Sequence, residues 1–152
     1  MSRRALVGRR DERGSGLIEF IWLGILLIVP LVWIVLSVFE VQRGAFAVSA
    51  AARAAGRAYV LAPDEASARA RATEAARQTL KDQGGPDMPL DVEVDCSLGA
   101  GRCLAGTSVV TVTISSGVTL PMVPEIFRRG QTDFDLEARH RVPIGQYVEG
   151  AP

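Results

Sequence analysis

The chain has 152 residues, with seventeen Lys and Arg against seventeen Asp and Glu and a formal net charge of zero. That balance excludes the basic excess, gathered on one face, by which nucleic-acid binders hold phosphates. The length allows one ordinary domain, yet residues 20–39 form an uncharged apolar run that cannot belong to its core. Roughly 90 residues remain for a folded part of marginal size, one that a disulfide, a partner or a membrane would help to hold.

The first segment in chain order is basic: Arg3, Arg4, Arg9, Arg10 and Arg13 outnumber Asp11 and Glu12. Such an excess before an apolar segment keeps that end of the chain in the cytoplasm. At ~1.5 Å rise per residue the run that follows spans about 30 Å, the hydrocarbon thickness of a bilayer. It predicts one membrane helix, with everything beyond about Glu40 outside the cytoplasm. A cleavable secretory signal has a shorter apolar region of ~7–15 residues followed by a small-x-small site. Ala45 and Ala47 supply such a pair, but only after a full-length span and the charges Glu40 and Arg43. Trp22 stands near the start of the run, as an interfacial anchor does, and Trp33 lies inside it, where lipid or a neighbouring helix surrounds it. Pro30 removes one backbone donor, which membrane helices tolerate.

Residues 40–61 hold few helix breakers and much Ala, so the helix is predicted to continue outward for several turns. Small side chains at Gly44, Ala47, Ala51, Ala54, Ala55 and Ala58 permit close approach of another element. Pro63 and Asp64 open a second helix, with Glu65 in its first turn, Lys81 in its last and Gly84-Gly85 ending it. Its apolar face is nearly all Ala plus Leu80, which predicts a thin, mostly solvated helix outside the core, with Arg69, Arg71, Glu74 and Arg77 on the wet face. The pattern then changes to period two. Leu90, Val92, Val94 and Cys96 alternate with Asp91, Glu93 and Asp95, a second strand covers 108–114, and a third covers 132–142. In the third, Phe134, Leu136, Ala138, His140 and Val142 share one face, and Asp133, Asp135, Glu137, Arg139 and Arg141 the other. The fold class is therefore α+β, a small antiparallel sheet with its apolar face toward helices.

Cys96 and Cys103 flank a loop containing Gly99 and Gly101, and no His or further Cys stands near to complete a zinc site. Outside the cytoplasm the pair reads as a disulfide; in the reverse orientation they are two unrelated thiols. No cofactor or metal is expected. His140 lies on an apolar strand face, Ser115-Ser116-Gly117 lacks an elbow context, and the glycines lack the spacing of a phosphate loop. An enzyme is not expected.

The most specific stretch is Arg13-Gly14-Ser15-Gly16-Leu17-Ile18-Glu19-Phe20, where a basic segment ends in Gly and a lone acid follows five residues later at the mouth of the span. An ionisable group at the edge of hydrocarbon is costly and marks a site with a partner. This stretch resembles a prepilin processing site. Ala50-Ala51-Ala52-Arg53-Ala54-Ala55-Gly56-Arg57-Ala58-Tyr59 is similar to the Ala-Ala-Arg-x-Gly-Ala-Arg stretch that follows the membrane helix of TadE-like proteins, with the order of Gly and Ala changed. Leu120-Pro121-Met122-Val123-Pro124 before a closing strand is similar to that class as well. The resemblance implies a pilin-like fold and a minor pilin or pseudopilin of a tight-adherence pilus. It implies cleavage by a prepilin peptidase between Gly14 and Ser15, and a Glu19 that receives the new terminal amine of an adjacent subunit. The implied organisation is a basic leader over 1–14, a membrane and extended helix over 15–61, and an extracytoplasmic head over 62–152. The implied partners are other pilin subunits, the pilus assembly platform, the peptidase and membrane lipid, at the cytoplasmic membrane or in the pilus. From a different class comes the alternative of an uncleaved, single-pass envelope protein whose head binds a ligand or partner; only the first loses residues 1–14.

Overall fold

The structure, a computed structural model, describes residues 13–119 and 133–146. The leader before Arg13, the 120–124 segment and Thr132 lie outside the described residues. Helix α1 spans Arg13–Val60 and α2 spans Glu65–Asp82; strands β1, β2 and β3 cover Asp91–Cys96, Val109–Thr119 and Asp133–Pro143. The chain is α+β, with a long apolar N-terminal helix, a second helix and a three-stranded antiparallel sheet of order β1-β2-β3. It divides into two units between Leu36 and Ser37, and α1 contributes to both.

Within the second unit α1 buries a stripe of Gly44, Ala47, Val48, Ala51, Ala52, Ala55, Gly56 and Tyr59. Their spacing of three to four residues keeps them on one helix face. Ala54 and Ala58, expected in the same stripe, are half-buried beside it. A Cβ on Gly44 would collide with Val118 Cγ2 and stand 2.8 Å from Leu136 Cδ1. One on Gly56 would stand 3.0 Å from Val142 Cγ2 and 3.1 Å from His140 Cδ2. The backbone of α1 thus rests directly on β2 and β3 at two points, and His140 packs against it there.

Helix α2 starts where the Asp64 carboxylate accepts the Ser67 N–H at 2.8 Å, leaving one fewer unpaired donor in the first turn. It ends in a paired cap: the Gly85 N–H donates to the Leu80 carbonyl at 2.9 Å and the Gly84 N–H to the Lys81 carbonyl at 3.0 Å. Gly84 sits at φ 79°, in the left-handed region that residues with a Cβ adopt at a cost. The expectation of a thin helix outside the core is corrected. Ala68, Ala72 and Ala76 are all 0% exposed, Leu80 is 2%, and they share one core cluster with the α1 stripe and with Val110, Val112 and Ile114 of β2. An Ala face has little apolar area of its own, but it lets backbones approach closely, and close packing rather than side-chain size then excludes water. The opposite face, with Arg69, Arg71, Glu74 and Arg77, is exposed as the charge pattern indicated.

The sheet follows the period-two pattern. Val94 pairs across Val112 to His140, and Val92 across Ile114 to Ala138, so the even-numbered side chains of all three strands share the buried face. β2 runs further than the apolar alternation indicated, to Thr119. Its polar end is held because the Ser116 hydroxyl donates to the Pro89 carbonyl at 2.6 Å and Gly117 pairs with Asp135.

Candidate functional site: the N-terminal helix

The residues singled out for processing lie in the first turn of α1, which begins at Arg13 and so contains the Gly14–Ser15 peptide. The first four N–H groups of a helix have no partner within it, so this turn is held by fewer backbone hydrogen bonds than the interior of α1. Glu19 lies one turn beyond Ser15, roughly 6 Å along the axis, and is exposed. Among the described residues no hydrogen bond or ion pair involves its carboxylate.

Over residues 20–39 the helix is apolar all round. Phe20 is 75% exposed, Leu26 71% and Phe39 63%. A helix with no polar face does not remain in water; it belongs in a core, against partners or in a bilayer. The described residues do not cover this one. It is long and apolar enough to cross a membrane.

No family model, curated protein or solved structure matches the chain.

The second predicted site is formed: Cys96 and Cys103 are joined by a disulfide. Cys103 is buried at the edge of the core, while residues 97–102 of the loop are exposed. By its place in the sequence Glu65 is the acid in the first turn of α2. Its carboxylate also accepts the Gly101 N–H at 3.0 Å and the Cys103 N–H at 2.6 Å. One oxygen serves each donor, so the loop is tied to α2 by a charge-assisted pair as well as by its covalent bond. By sequence alone Arg43 is likewise no more than a charge after the span. Its guanidinium donates to the carbonyls of Gln83 at 3.3 Å and Gly84 at 3.4 Å, where the last carbonyls of α2 carry partial negative charge. Neither pairing leaves a local signal, because the partners are separated by 36 to 41 positions. Among the described residues no group of three or more His, Cys, Asp and Glu is arranged to hold a metal ion.

Proposed function

We propose that this chain is a TadE-like minor pilin or pseudopilin, a structural subunit of a tight-adherence pilus rather than an enzyme. On this reading residues 20–39 hold it in the cytoplasmic membrane with the head outside. The observation that carries it is the conjunction of Arg13-Gly14 and Glu19 on the first turns of an all-round apolar, exposed helix. Hydrolysis of the Gly14–Ser15 peptide by a prepilin peptidase would leave Ser15 with a free α-amine. Its ordinary pKa, about 7.7–8.0, keeps most of it charged at neutral pH. At ~4 Å and an effective dielectric near 20, that amine and the Glu19 carboxylate of a neighbouring subunit attract by about 4 kcal/mol before desolvation, enough to set register as subunits dock. A disulfide in the head agrees with an oxidising compartment on the far side of the membrane.

The test is Glu19→Gln, which keeps the shape and removes the charge. Insertion and cleavage are expected to survive, since the basic leader, Gly14 and the apolar run are untouched. Crosslinking to other pilins in membranes, at matched expression, is expected to fall. Equal crosslinking and equal pilus output from the two proteins would remove Glu19 from the mechanism.

A further inference from the structure

The head carries unpaired charge of opposite sign on its two faces. The odd-numbered side chains of the sheet face away from the helices, and on β1 they are Asp91, Glu93 and Asp95, all exposed. Among the described residues none of the three has a hydrogen bond or an ion pair. The charges of β3 differ, since Glu137 pairs with Arg139 of its own strand at 3.3 Å. Three acids roughly 6.6 Å apart along one strand repel one another. Charge on an edge strand deters stray pairing, but either sign, or both in alternation, would serve that end. A uniform sign is what a complementary surface requires.

The complementary surface belongs to the same head. From Gly44 to Lys81 the two helices expose six cations, Arg53, Arg57, Arg69, Arg71, Arg77 and Lys81. The acids of that stretch are Asp64, Glu65 and Glu74, and the first two are committed to the α2 cap and to the Cys96–Cys103 loop. On α2, Arg71, Arg77 and Lys81 lie opposite the buried Ala68, Ala72, Ala76 and Leu80. Glu74 stands among them and leaves the face net positive; Asp82, at the end of the helix, accepts from Gln78 at 2.9 Å. Arg77 and Lys81 are roughly 6 Å apart along the axis, close to the spacing of the β1 acids.

Placement brings the two rows into register. Helix α2 packs against β1, so the cationic and acidic rows lie back to back on one helix and strand. A shift along the sheet normal by one layer spacing plus one helix diameter, on the order of 20 Å, sets the α2 row of one copy on the β1 row of the next. A two-fold contact through either face would set like charges together. We infer that heads of this chain stack head to tail, with Arg71, Arg77 and Lys81 of one copy against Asp91, Glu93 and Asp95 of its neighbour. The inference rests on the assembly reading above and makes a second copy of this chain one of the partners. The shift leaves both copies in the same orientation, and each keeps one row free, so the contact can propagate. Exposed ion pairs are individually weak; the contact forms between chains that a shared membrane holds close together.

The test uses the full chain in phosphatidylcholine vesicles at low protein density, labelled with donor or acceptor dye at one introduced cysteine, Leu61→Cys, the native cysteines being paired. D91K/E93K/D95K and R71E/R77E/K81E each reverse one row. A third variant carries all six changes and keeps the wild-type net charge. Melting temperature and the native disulfide report that each variant folds. Energy transfer between wild-type copies is expected to exceed that of random dilution. It is expected to fall several-fold as salt rises from about 0.01 M to about 1 M, which shortens the screening length from about 30 Å to about 3 Å. Either three-residue swap is expected to lower it several-fold. The six-residue variant is expected to recover transfer with itself and to show none with wild type, because like rows then meet at both faces. Transfer between wild type and that variant equal to transfer within wild type overturns the inference, as does the absence of transfer in wild type. Transfer that neither salt nor the swaps change assigns the contact to the apolar helix and also overturns it, while crosslinking of Glu19→Gln still decides the assembly proposal separately. Where the six-residue variant does not fold, the salt dependence and the two smaller swaps decide.

Discussion

Two glycines and one carboxylate show how individual residues fix the head. Gly44 and Gly56 lie inside a helix, where glycine costs about 1 kcal/mol relative to Ala, so at an open position Ala would stabilise. At Gly44 the sign reverses, because the added methyl meets Val118 and Leu136 in a closely packed core. Gly44→Ala is expected to destabilise the head by about 1–3 kcal/mol in spite of the better propensity, read from urea unfolding in detergent. A neutral or stabilising result would mean that α1 does not lie on β2 and β3 as described. Asp64 acts through its cap. Its hydrogen bond from the Ser67 backbone, ahead of smaller contributions, holds its carboxyl below the ordinary value of 3.8. A depressed acid adds stability that is present above the unfolded value and lost as pH falls through the folded one. The melting difference between wild type and Asp64→Ala is therefore expected to be steady from neutral pH down to about 5 and to close below about 4. A difference that persists in strong acid would assign the cap to geometry rather than charge.

At the scale of elements, the loop between β1 and β2 is fixed twice, by the Cys96–Cys103 bond and by Glu65. By loop entropy, replacing both cysteines with Ser is expected to cost roughly 2–3 kcal/mol. Glu65→Ala is expected to cost about 1–3 kcal/mol, since two backbone donors lose a charged acceptor. The two losses should not add, because both act on one loop. In protein taken from native membranes, denatured without reductant, neither cysteine should accept a thiol label. The strands were legible in the sequence because alternation is local: Val92, Val94 and Cys96 announce their face without reference to any other element. The limit of β2 was not, since Ser115-Ser116-Gly117 reads as a break until the Pro89 carbonyl is there to receive a hydroxyl. Nor was the burial of α2. Ala68, Ala72 and Ala76 are weakly apolar in isolation, and only a second small-residue stripe, brought close by tertiary packing, turns them into core. Among the candidate site residues the cysteines could be paired from spacing and compartment, whereas Glu65 and Arg43 act on backbone groups that sequence alone cannot locate.

For the whole molecule, a small α+β head is joined to a helix whose apolar surface the described residues leave exposed. That arrangement needs a bilayer, partner helices, or first one and then the other. On the proposed reading the chain would occupy both in turn, membrane first and filament after. Its own sequence would supply the trigger, because removal of the leader creates at Ser15 the positive charge that Glu19 of a neighbour would receive. Every part of the proposal beyond membrane anchoring depends on that cut. The decisive measurement is the intact mass, with the N-terminal residue identified, of the protein extracted from membranes of its own cells. The account expects a chain that has lost residues 1–14 and begins at Ser15, and a longer chain when Gly14 is replaced by a bulky residue. A wild-type chain that retains Met1 or Ser2 would contradict it.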